Sequence, residues 1–146
     1  ERGTRAEELK KITDTVTELD TCFGEQLDEV DFDAYSELNE RFHHQLAALP
    51  GSEMIRREVE RASSLPFASP SAFLPDRSDI AAFRRSLRGA QDQHRAMVAA
   101  ISAREGTRAE AIAREHARTA RRNLEFMLNE KPDLISKMRG LAFIRS

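Results

Sequence analysis

The chain has 146 residues, with 23 basic against 25 acidic side chains and a formal net charge of −2, and its mean hydropathy is −0.58. That is one domain's worth of chain, and it contains no apolar run of the roughly 18–20 residues a membrane span needs. The balanced charge argues against this piece gripping nucleic acid, which takes a strongly basic face.

The lone Cys22 cannot close an internal disulfide and fits a reducing compartment. No basic leader followed by an apolar stretch opens the chain, so a cytoplasmic location is expected. The first residue is Glu1 rather than Met, so upstream sequence is expected to be missing.

Six glycines, five prolines and no tryptophan, with abundant Ala, Glu, Arg and Leu, point to helix. Leu9, Ile12, Val16, Leu19 and Phe23 recur at spacings of three and four, one stripe of an amphipathic first helix. Thr4 with Glu7 three residues on reads as its capping box. A second helix is predicted over 31–49, with Asp31 as N-cap and Tyr35, Leu38, Phe42 and Leu46 on one face. Pro50-Gly51-Ser52 ends it, and a short third helix follows over 53–62.

Residues 63–75 hold Pro66, Pro70 and Pro75, which exclude regular helix. Leu65, Phe67, Phe73 and Leu74 give this long loop apolar anchors, fitting either a lid or interface segment or a plain connector. A fourth helix is predicted over 79–103, with Ile80, Phe83, Leu87, Ala90, Met97, Val98 and Ile101 inward. Gly106 and Thr107 supply a stop and a new cap. The fifth helix, over 107–128, places Ile112, Ala113, Ala117, Ala120, Leu124 and Met127 on its apolar side, and Pro132 opens a short terminal helix. With no convincing period-2 alternation, the fold class is all-α, an antiparallel helical bundle.

Three of the four histidines fall on or beside inward stripes of three different helices. His43 follows Phe42, His94 lies one turn after Ala90, and His116 lies one turn after Ile112. A buried polar ring without a partner costs about 1–3 kcal/mol, so three such rings invite a common explanation. A divalent metal supplies one, because neutral imidazole is its commonest protein ligand and bundles build such sites from converging side chains. Asn39, one turn before His43, offers a carbonyl oxygen as a fourth ligand. The competing reading is three core histidines, each hydrogen-bonded within the fold. His44 is rotated by about 100° from His43 and belongs to the surface or boundary.

Gln91, one turn before His94, and Asn123, two turns after His116, are further polar groups on this face and candidates for lining a pocket, or else for hydrogen bonds within the bundle. Cys22 beside Phe23 reads as a small buried apolar residue. Arg108, Arg114, Arg118, Arg121 and Arg122, with Glu110 and Glu115, read as the solvated side of the last helix.

The segments Leu38-Asn39-Glu40-Arg41-Phe42-His43, Gln93-His94-Arg95-Ala96 and Arg114-Glu115-His116-Ala117-Arg118 resemble the signature of the FCD domain. This is the C-terminal effector-binding domain of the FadR subfamily of GntR-type bacterial transcription regulators. The stretch 65–73 resembles the vanillate-regulator-like branch. The resemblance implies an FCD-like domain over 1–139, a C-terminal tail over 140–146, and a bundle that holds a divalent metal beneath a pocket for a small carboxylate metabolite. By position the ligands would be Asn39, His43, His94 and His116. Zinc is the first expectation for the ion, with nickel or manganese as alternatives. Where the family carries an aspartate this chain has Asn39, so the ligand set is neutral. That implies weaker metal retention and an attraction for an anionic effector at the open coordination positions. The resemblance also implies that the first effector-domain helix and the winged helix-turn-helix that reads DNA are missing from this chain, and that the full-length regulator is a homodimer on two half-sites.

Three function classes follow. The first is a non-enzymatic sensor in which effector binding favours one arrangement of the bundle and so changes DNA affinity. The second is a mononuclear metal-dependent enzyme, in which open positions on the ion activate water. The residues one turn from His94 and His116 offer that chemistry little acid–base equipment. The third is a metal-free bundle used for dimerisation or for an acyl ligand.

Overall fold

The computed structural model describes residues 5–63 and 81–130, with side chains described over 5–62 and 81–122. Five helices are present among them: α1 (Arg5–Asp20), α2 (Phe32–Ala48), α3 (Glu53–Ser63), α4 (Ala81–Ser102) and α5 (Gly106–Glu130). The chain is therefore all-α, as the periodicity predicts. The one β-type feature among the described residues is an isolated antiparallel bridge between Phe23 and Val30. The chain divides into two compact units, Glu1–Pro75 and Asp76–Ser146. Thr4, the residues 64–80 that hold the proline-rich stretch and Ile80, and the segment after Pro132 lie outside the described residues.

In the first unit, Glu7 and Glu8 occupy the first turn of α1, where their charge complements the helix dipole. Ile12, Val16 and Leu19 are buried, as the stripe predicts, while Leu9 is half-buried. Phe23 falls beyond the helix end. Its half-buried ring meets the buried Tyr35 edge-on, with centroids 5.6 Å apart. The connection to α2 is tied by backbone bonds from Gly24 N to Glu29 O at 3.0 Å and from Asp31 N to Cys22 O at 2.8 Å.

Asp31 caps α2 as expected, its carboxylate accepting from the Ala34 N–H at 3.2 Å. α1 packs on α2 and α2 on α3, and Arg41 of α2 is paired with Glu18 of α1. Tyr35 and Phe42 are buried, whereas Leu38 and Leu46 are half-buried. Burial pushes the Tyr35 phenol above its ordinary range, with a smaller contribution from Cys22. Cys22 is itself buried, as predicted, and burial pushes its thiol up. The chain leaves α2 through Gly51, whose φ of +66° suits a residue without a side chain.

The second unit is a helical hairpin in which α4 packs on α5 across a three-residue connection. Phe83, Leu87, Gln91, His94, Met97, Val98 and Ala100 are buried on α4, with Ala90 and Ile101 only half-buried. The predicted stop at Gly106 is misplaced, because Gly106 is the first residue of α5. α4 ends instead in a Schellman arrangement, with Arg104 N bonded to Ile101 O at 3.0 Å and Glu105 N to Ala100 O at 2.8 Å. Arg104 takes the left-handed position usually given to glycine, at φ 61°.

On α5 the inward strip is also rotated from the expected one. Ala109, Ile112, Ala113, His116 and Thr119 are half-buried, while Ala117 and Ala120 are exposed. Alanines define a face weakly, since they add little apolar area, and the larger Ile112 and His116 set the rotation. Arg114 pairs with Glu110 at 2.6 Å, and Arg118 and Arg122 both pair with Glu115, as expected of a solvated side. No described helix is long and apolar enough to cross a membrane.

Candidate metal centre

The second unit brings two of the predicted ligands together. His94 is fully buried on α4 and His116 is half-buried on α5. Their ring centroids are 4.7 Å apart, with the planes tilted by 54°. A nitrogen of one ring lies within 4.8 Å of a nitrogen of the other. Two ligands about 2.1 Å from one zinc ion sit roughly 3.3–4.2 Å apart, so the pair needs little adjustment to share an ion.

Both rings are held by amides. His94 Nδ1 is 3.1 Å from Gln91 Oε1, one turn earlier on α4. His116 Nδ1 is 2.9 Å from Gln93 Oε1, across the hairpin. An amide oxygen only accepts, so each contact is a hydrogen bond in the tautomer whose Nδ1 carries the proton. The lone pair of each ring is then on Nε2, and that of His94 is buried. Burial also pushes the His116 pKa below its ordinary value, which keeps the ring in the neutral form that ligates metals.

In the first unit, Asn39 and His43 lie one turn apart on α2. Asn39 is buried and His43 half-buried, with the His43 ring edge-on to Phe42 at 5.3 Å between centroids. His44 is exposed, 3.9 Å from the Glu40 carboxylate, in keeping with the surface position expected of it.

Gln91 is buried, and its oxygen engages His94. Asn123 belongs to α5, but its side chain is outside those described. Gln93 is the contact residue that sequence reasoning missed. It sits about 100° around α4 from His94, off the apolar stripe, and still reaches His116 on α5.

A search among curated proteins found no match. The FCD domain family model matches residues 1–119, a span that holds Asn39, His43, His94 and His116. FCD domains are the C-terminal effector-binding domains of GntR-type transcription regulators, and regulators of this type bind DNA through a separate domain. With most of its length matched, and with the all-α fold the family requires, the chain belongs to the FCD domain family.

Proposed function

We propose that this domain senses a small carboxylate metabolite through a divalent metal ion, zinc first, held by Asn39, His43, His94 and His116. In this reading the ion anchors the effector, and its binding alters DNA affinity through the winged helix-turn-helix of a homodimeric, cytoplasmic regulator of the FadR subfamily, in its vanillate-regulator-like branch. The domain is a sensor rather than an enzyme.

The observation that carries the reading is the His94–His116 pair, two imidazoles 4.7 Å apart whose Nδ1 atoms are both engaged by amide oxygens. The donor set fits a borderline divalent ion such as zinc or nickel, for which neutral imidazole is a standard ligand, better than manganese, which favours oxygen donors. Family membership supports the sensor over the enzyme, since FCD domains are regulatory ligand-binding domains. When bound, the ion would supply an uncompensated positive charge, because imidazoles and the Asn39 amide are neutral. That charge favours an anionic effector, with Asn123 as a candidate for its far end, since the other candidate, Gln91, is buried with its oxygen on His94.

Metal analysis of protein purified without chelator tests the proposal. We expect stoichiometric metal in the wild type, loss of it in His43→Ala and in His116→Ala, and full retention in His44→Ala. Equal losses in all three variants would refute the assignment of the ligand face. Calorimetric titration of the zinc-loaded protein with citrate should show binding that the metal-free protein lacks; equal binding by both forms would remove the ion from effector recognition.

A further inference from the structure

Helix α4 does more than carry His94. It also carries the two amides that engage the Nδ1 atoms of His94 and His116, and they act in different directions. Gln91 is three residues before His94 and closes a local bond along one face at 3.1 Å. Gln93 points to the neighbouring helix and reaches His116, 23 residues later in sequence, at 2.9 Å. A neutral imidazole has two tautomers, and only the nitrogen without hydrogen can ligate a metal. Left to itself, each ring would populate both forms. An amide oxygen facing Nδ1 selects one of them.

We propose that Gln91 and Gln93 are positioning residues that hold His94 and His116 in the Nδ1–H tautomer, so that both rings offer Nε2 to the metal before it arrives. The inference rests on the reading of these histidines as ligands, and it deepens that reading by assigning the partners that orient them. Such partners commonly change metal affinity by 10–100-fold when removed. Gln93 is the more informative of the two, because its bond spans two helices and so reports on their packing as well as on the ring. Glutamate at this position keeps an acceptor oxygen; methionine keeps the length and apolar bulk but removes it.

The test compares wild type, Gln93→Met and Gln93→Glu by two measurements. Long-range ¹⁵N–¹H NMR of the metal-free protein reads the His116 tautomer directly. The expected result is Nδ1–H in wild type and Gln93→Glu, with the Nε2–H form populated in Gln93→Met. Zinc affinity by chelator competition should fall about 10–100-fold in Gln93→Met and be restored in Gln93→Glu. An Nε2–H His116 in the wild type would overturn the proposal even if Gln93→Met failed to fold. So would a Gln93→Met protein with wild-type tautomer and wild-type zinc affinity. A wild type with the Nδ1–H tautomer but no zinc binding would instead overturn the metal reading, leaving Gln93 as the orienter of a core histidine.

Discussion

Helix α3 and the α4–α5 hairpin are both rich in polar side chains, but they use them differently. On α3, Glu53 bonds Arg56 at 2.5 Å and Arg57 at 3.0 Å, Arg56 also pairs with Glu60, and Arg61 bonds Glu58 at 2.8 Å. All of these groups are partly or largely exposed, and Met54 on the same helix is 74% exposed. In the hairpin, the bonds from His94 to Gln91 and from His116 to Gln93 involve neutral groups that are buried or half-buried. Ion pairs in water contribute little, because hydration competes with them and ordering long side chains opposes them. Neutral bonds away from water contribute modestly when made, but breaking one strands a polar atom. The lesson is that the few neutral bonds away from water, not the many exposed ion pairs, carry the positional information.

The largest expected effect tests the buried side of this contrast. Gln91→Leu removes the acceptor facing His94 Nδ1 and should destabilise the protein by about 1–3 kcal/mol, read as a lowered denaturation midpoint. A neutral outcome would show that His94 is readily satisfied in another way.

A smaller effect, opposite in sign, is expected at the turn of the hairpin. Gly51 provides the left-handed residue after α2, but Arg104 takes that conformation after α4. Arg104→Gly should stabilise by about 0.5–1 kcal/mol, a rise of roughly 1–4 °C in Tm. An unchanged or lower Tm would mean that the arginine side chain contributes there.

The smallest effect belongs to α3. The Arg56 and Arg57 guanidiniums bonded to Glu53 hold its carboxyl at about 2, below its ordinary 4.5. As pH falls through that window, the unfolded chain takes up the proton first, so any stabilisation from Glu53 is present above pH 4.5 and lost toward pH 2. Because the group is exposed, solvent screening keeps the contribution small. Glu53→Gln should leave Tm unchanged within error at neutral pH and slightly flatten the acid limb of the stability curve. A clear loss of Tm at neutral pH would show that the α3 ion pairs matter more than exposed pairs usually do.

The elements themselves were legible because they rest on local chemistry. Asp31 could be named as a cap from its type and place, and the Ile12–Val16–Leu19 stripe from its spacing. The α4–α5 turn was not legible, since glycine at 106 is a better left-handed residue than Arg104. The chain places the stop by where α4 ends its burial, not by the local preference of one residue. The rotation of α5 was missed for a related reason, as Ala113, Ala117 and Ala120 fit several azimuths equally well. His94 and His116 were visible as candidates from their helical phase, whereas Gln93 lay off the stripe.

Sequence by itself determined the all-α class, the ends of α2 and the residue types able to ligate a metal, because helix propensity, capping and periodicity act over one or two turns. Only the tertiary structure decided which amide faces which imidazole. A bond between residues 93 and 116 depends on the rotation of two helices about their own axes, and that rotation is set by how whole faces pack.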